Sequence, residues 1–144
     1  MPPIRVDFYL LSSIQPDARW MMTCRLLEKA YLKGHRVYVH CEDQKDSECL
    51  DELLWTFRDD SFIPHNLQGE GPEPPPPVQI GYAKEPRGFS DILFNMAVKI
   101  PIFYNKFKRI IEIVPNLELE KEQCRLHYKE YRSKGCELLT HTID

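Results

Sequence analysis

The N-terminal half alternates strand-length and helix-length apolar patterns, and this constrains the fold more than any other feature. Arg5 to Leu11 (RVDFYLL) is a strand-length run rich in β-branched and aromatic residues. From Ala18 to Lys33 the residues Trp20, Cys24, Leu27 and Tyr31 recur at i, i+4, i+7 and i+11, one face of a helix. Asp17 stands where an N-cap belongs, and Gly34 where a helix-stopping glycine belongs. HRVYVHC (35–41) reads as a second strand, followed by a helix from about Gln44 to Phe57 with Leu50, Leu53, Leu54 and Phe57 inward. Strands separated by whole helices pair in parallel, because a parallel neighbour needs a crossover where a hairpin does not. The pattern predicts an α/β fold, a mostly parallel central sheet with helices on both faces.

The rest of the chain continues the theme. VQIGY (78–82), DILFNM (91–96) and the strongly apolar RIIEIV (109–114) read as strands. KIPIFYNKF (99–107) reads as a short helical or irregular crossover limited by Pro101. Glu118 to Lys134 is a polar helix ended by Gly135, and CELLTH (136–141) is a last strand. Between Phe62 and the run Pro74 to Pro77 the expectation is a shaped turn and then a stiff, extended connector. At 144 residues the chain is expected to form a single domain over 1–144.

Composition narrows the function. A net charge of −3 gives no global reason for nucleic-acid binding, which ordinarily shows as a large basic excess. No apolar run approaches the length of a membrane span, and the N-terminal stretch is too short and strand-like for a signal peptide. The five cysteines, Cys24, Cys41, Cys49, Cys124 and Cys136, show no Cys-x-x-Cys spacing. They read as isolated buried thiols in a reducing cytoplasm.

Catalytic machinery is hard to find. The turn after the first strand, SSIQPD, has no glycine to let a backbone approach a pyrophosphate. Gly69-Glu70-Gly71 runs into prolines rather than a helix, and no serine sits in a nucleophile elbow. His40-Cys41-Glu42-Asp43 is the most metal-like cluster, but neighbouring strand residues face opposite ways, so His40 and Cys41 should not share an ion. The expectation is no catalytic site, no cofactor and no metal. The alternative is a small nucleotide-dependent enzyme built on the His65/Glu70 loop, against which His65 reads as a hydrogen-bonded structural histidine.

The C-terminal helix is more informative. At about 100° per residue, Lys121, Arg125, Lys129 and Arg132 fall within roughly a quarter of the helix circumference, with Tyr128 inside or beside the stripe. Glu120, Glu122 and Glu130 lie outside it. A solvated face would gain more from mixed i, i+4 pairs than from charges of one sign. Four charges are few for a DNA duplex but suit an acidic peptide, above all one ending in a carboxylate that an arginine grips with two hydrogen bonds. Direct contact with single-stranded DNA through Tyr128, Tyr131 and the stripe is a further reading.

DFYLL (7–11), VHCED (39–43), LDELLW (50–55) with SFIPHNLQGEGP (61–72), IIEIVP (110–115) and the closing R-x-x-YK-x-YR-x-x-G (125–135) together carry a resemblance. In this order, from about residue 5 to 141, the chain resembles the chi subunit of bacterial DNA polymerase III, a component of the clamp-loader assembly. The resemblance implies a single Rossmann-like domain without a nucleotide site. It also implies a non-catalytic bridge between the psi subunit and the acidic C-terminal tail of single-stranded-DNA-binding protein, with direct DNA binding weak or absent. By the same resemblance, Lys121, Arg125 and Lys129 form the tail-binding basic group, with Tyr128 packed among them. Trp55, Phe62, Pro64 and Val114 line a pocket for the tail's terminal aromatic ring. The four-proline run, His127 and the cysteines depart from the family pattern.

Overall fold

The computed structural model describes residues 2–143. Its elements are β1 (Arg5–Leu11), α1 (Ala18–Leu32), β2 (Val37–His40), α2 (Gln44–Thr56), β3 (His65–Leu67), β4 (Val78–Gly81), β5 (Ile92–Asn95), β6 (Arg109–Val114), α3 (Glu118–Ser133) and β7 (Glu137–Ile143). A short 3-10 turn, Tyr104–Lys106, breaks the crossover before β6. The strands form one sheet in the order β3-β4-β2-β5-β6-β1-β7, and every pairing is parallel.

This order explains the placement of the helices. Parallel crossovers are right-handed almost without exception. The chain first steps from β1 across to β2 and on to the β3 edge, then returns strand by strand to the β7 edge. Reversing direction moves the connections to the other face. Accordingly Cys24 and Leu27 of α1 and Leu50 and Leu54 of α2 pack with Val37, Val39 and Ile111. Tyr131 of α3 packs on the opposite side with Val6, Phe8, Ile110 and Val114. Each fully buried leucine contributes on the order of 1.5–3 kcal/mol.

The helix boundaries follow local chemistry. Asp43 caps α2, its carboxylate accepting from the Asp46 N–H at 2.9 Å. Gly34 and Gly135, with φ of 84° and 80°, turn the chain out of α1 and α3 through the left-handed region. Asp17 occupies the N-cap of α1 but makes no side-chain cap bond.

Two expectations are corrected. The segment after Pro64 contains a strand, because His65, Asn66 and Leu67 pair with Val78, Gln79 and Ile80 and extend the sheet by one edge. The cysteines are not uniformly buried: Cys49 is exposed, and Cys124 and Cys136 are half-buried, although all five are free thiols. Burial pushes the Cys24 and Cys41 thiols up to about 12, out of the reactive range.

Candidate partner-docking site

The carboxyl ends of β1 and β6 meet the first turns of α3 around a recess of about 240 Å³. Leu10, Leu11, Val114 and Pro115 form its apolar wall, and Lys121, Cys124 and Arg125 close it from the helix. Strand pairing builds the wall, since Leu10 lies opposite Val114 in the sheet register. The basic stripe continues from the recess along α3. Lys121 makes one long contact to Glu118, 3.9 Å. Among the described residues, no carboxylate lies within salt-bridge range of Arg125, Lys129 or Arg132. An apolar hollow with Lys121 and an Arg125 that makes no ion pair among the described residues on its rim is suited to a ligand that ends in a hydrophobic group and an anion.

Tyr128 lies at the inner margin of the stripe, half-buried with its ring 5.8 Å from that of Phe8. Tyr131 is fully buried and offers no ring to a base. That removes one of the two aromatics from the reading in which this stripe contacts single-stranded DNA.

Beneath the stripe lies a buried polar network. Glu112 on β6 accepts from Tyr131 Oη at 2.6 Å and from Asn95 Nδ2 at 3.2 Å. His127 places Nδ1 2.7 Å from a Glu112 oxygen and Nε2 2.7 Å from the Val98 carbonyl. Two acceptors facing two ring nitrogens require two N–H donors, so His127 is held as imidazolium. Burial pulls its pKa down, but the hydrogen bond and charge of Glu112, with the Val98 carbonyl, outweigh burial and raise it above the ordinary value.

A raised folded-state pKa gives stabilisation that is complete below the unfolded value and fades as pH rises through the folded one. Urea unfolding from about pH 6 to 9, spanning the ordinary histidine range, should therefore show stability falling with pH. The His127→Gln variant should lose that part of the decline, and parallel wild-type and variant profiles would refute the charged assignment.

The structure separates the remaining site residues from this recess. Trp55 lies on α2 and Phe62 and Pro64 on the segment leading into β3. α2 packs on β3 and β4, whereas α3 packs on β6 and β7 from the other face. β3 and β6 are four strand spacings apart in the sheet order, roughly 19 Å. Trp55, Phe62 and Pro64 therefore do not join Val114 in one pocket. They form their own surface, in which Trp55 and Phe62, 52% and 64% exposed, tilt together at 5.7 Å.

Beneath that surface His65 has Nδ1 2.6 Å from the Ile63 carbonyl and Nε2 3.0 Å from the Asp51 carbonyl. It ties the edge strand to α2 and is a structural histidine. Glu70 borders a cleft of about 320 Å³ together with Glu48, and Asp43 already caps the neighbouring helix end. Two carboxylates and a capped helix are poor surroundings for a phosphate. Gly81 at this cleft has no room for a side chain, since a Cβ would lie 2.3 Å from Tyr38 Oη and from Gln68 Oε1. His40 and Cys41 belong to opposite faces, His40 against Phe103 and Cys41 in the core beneath α1 and α2.

Sequence reasoning missed Leu10, Leu11, Pro115 and Cys124 as recess residues. The local signal available was a strand ending at Pro115. The pairing of Leu10 with Val114 spans most of the chain and leaves no trace in local periodicity.

Comparison with known proteins identifies the family of the chain. The family model for the DNA polymerase III chi subunit, HolC, matches residues 4–139. DNA polymerase III subunit chi of Pseudomonas aeruginosa is 38% identical over 139 residues, covering 96% of each chain. The Escherichia coli subunit is 36% identical over 140 residues, covering 94% of this chain and 95% of its own. That of Haemophilus influenzae is 32% identical over 138 residues, covering 95% and 96% respectively. With the family model matched over residues 4–139 and three relatives 32–38% identical over nearly the whole of both chains, the chain belongs to the DNA polymerase III chi subunit family.

Proposed function

We propose that this chain is a non-catalytic adaptor of the replicative polymerase's clamp loader, joining the psi subunit to the acidic C-terminal tail of single-stranded-DNA-binding protein in the bacterial cytoplasm. The observation that carries the reading is the apolar recess rimmed by Lys121 and the unpaired Arg125. A terminal aromatic ring enters beside Val114, Arg125 meets the terminal carboxylate, and Lys121 and Lys129 attract the acids that precede it. Tyr128 stiffens the helix against Phe8. An adaptor also needs a second surface that leaves the first free. Trp55, Phe62 and Pro64, on the other face and toward the other edge of the sheet, suit psi, and we assign them to it rather than to the tail.

Hydrogen bonds to charged groups contribute about 1.5–3 kcal/mol each. Arg125→Ala is expected to weaken binding of a synthetic tail peptide by about tenfold or more, with unchanged circular dichroism, as read by calorimetric titration. Because the stripe faces solvent, added salt should weaken wild-type binding as well. Wild-type affinity in the variant would count against the assignment. The alternative of a nucleotide-dependent enzyme draws no support from His65, whose two ring nitrogens already face backbone carbonyls.

A further inference from the structure

A second cationic surface lies on the face of the sheet away from α3. Between α1 and the β7 edge runs a trough of about 610 Å³, and all of its cations, Arg5, Lys29, Lys33 and Arg109, gather at one end. Arg5 lies opposite Arg109 in the sheet register, and the same row continues through Ile92 to Val37, the first residue of β2. Only Gly34, His35 and Arg36 separate Val37 from Lys33, so the returning end of α1 stands at the level of that row. Lys29 precedes Lys33 by one turn on the same side of the helix. Toward the carboxyl ends of the strands the lining is Tyr9, Ile111, His141, Thr142 and Ile143, without a lysine or arginine.

Asp7 organises the floor. Fully buried, it accepts from His141 Nε2 at 2.7 Å, Arg5 Nε at 3.1 Å and Arg109 Nε at 2.8 Å. Burial alone would raise its pKa, but these three donors hold it below the ordinary aspartate value, so it remains a fixed anion that orients two guanidinium groups. Arg5 also turns Nη2 to Asp7, and Arg109 turns Nη2 to Tyr9 Oη at 3.3 Å. Nη1 of each makes no hydrogen bond among the described residues, and the two side chains are 47% and 28% exposed. Lys29 and Lys33 are exposed and make no salt bridge among the described residues.

The helix dipole accounts for lysines at the end of α1, but not for two arginines delivered to the same place by separate strands. Asp7 offsets one of the four positive charges. Glu137, exposed and opposite Arg5 on β7, offsets at most one more, and Asp91 is taken up by His35 Nδ1 at 3.0 Å and the Arg36 N–H at 3.1 Å. The excess left at this one spot is more than a single carboxylate neutralises. It matches phosphate, which carries about −1.5 to −2 per group. Guanidinium groups with a free edge grip phosphate oxygens, and lysines add mobile point charges. Two oriented guanidiniums on the floor and two ammoniums on the helix wall suit two linked phosphates. An extended polyanion would meet no further lysine or arginine along the trough.

We propose that this end of the trough is a binding site for a compact diphosphate group, held by Arg5, Arg109, Lys29 and Lys33. The test is calorimetric titration of the full chain with sodium pyrophosphate at low ionic strength, where one saturable site is expected that weakens as salt is added. Lys29→Gln/Lys33→Gln should bind about tenfold more weakly with unchanged circular dichroism. Lys29→Arg/Lys33→Arg, which keeps both charges, should restore binding. Arg125→Ala, on the other face, should bind pyrophosphate as the wild type does. Thymidine diphosphate separates the two carriers of the group. Affinity equal to or below that of pyrophosphate identifies the free ion, and tighter binding identifies a nucleotide whose base rests on the Tyr9–His141 pair, stacked at 4.6 Å. The proposal is overturned if the wild type shows no saturation at low salt, if the Lys29→Gln/Lys33→Gln variant binds as tightly as the wild type, or if Arg125→Ala loses the site. Citrate bound as tightly as pyrophosphate would overturn the phosphate assignment too.

Discussion

Glu112→Ala is expected to lower the stability of the fold by about 3–5 kcal/mol, the range for removing one partner of a buried charged pair. Glu112 is 7% exposed and serves Tyr131, Asn95 and His127 at once. Alanine leaves a hydroxyl, an amide and an imidazolium facing a hole. His127 then loses the group that raises its pKa, so the imidazolium gives up its proton or draws in water. Urea denaturation measures the effect as a lower midpoint at unchanged slope. Glu112→Gln keeps the shape but not the charge, so it should cost less than alanine and remove the His127-dependent decline of stability at alkaline pH. A midpoint shift in Glu112→Ala below what about 1 kcal/mol produces, the ordinary surface-to-average range for point changes, would show that the network is peripheral to stability. Because α3 rests on this network, peptide binding at the stripe should be compared at a temperature where each variant is folded.

Trp55→Ala is expected to weaken psi binding by about 30-fold, equivalent to about 2 kcal/mol, the threshold for an interface hot spot. A large exposed aromatic costs the free protein an unfavourable apolar surface, and two side by side are what a partner buries. Trp55 also covers His65, with ring centroids 4.4 Å apart, so truncation carries some structural risk. Phe62→Ala provides the second test, because Phe62 is 64% exposed. Both variants should keep wild-type affinity for the tail peptide. Psi binding that survives both substitutions would place that partner elsewhere, and loss of tail binding in either would reunite the two surfaces that the sheet separates.

Much of the fold was legible locally. The strands at Arg5–Leu11 and Arg109–Val114 and the helices ended by Gly34 and Gly135 announce themselves through apolar period and stop residues. The strand His65–Leu67 did not, because three residues carry no period and the flanking Pro64 and Gly69 read as turn chemistry. What makes it a strand is β4, whose Val78, Gln79 and Ile80 supply the pairing partners from beyond the proline run. The basic stripe was legible because it depends only on helical pitch. Tyr131, which the single-strand reading needs at the surface, is instead buried, since one residue step around the helix carries a side chain from solvent to the Phe8 core.

By itself the sequence determined the class of fold, the helix that carries the cations and, through its motifs, the family. These rest on local periodicity, capping and residue identity, which operate within a few turns of chain. Only the tertiary structure decided which residues share a surface. The parallel sheet sends α2 and α3 to opposite faces, so Trp55 and Val114 part company while Leu10 joins Val114 across the β1–β6 register. It likewise gathers Arg5, Arg109 and His141 from three strands around the buried Asp7. Charge and apolar surface act through distance in space, and crossover topology sets that distance.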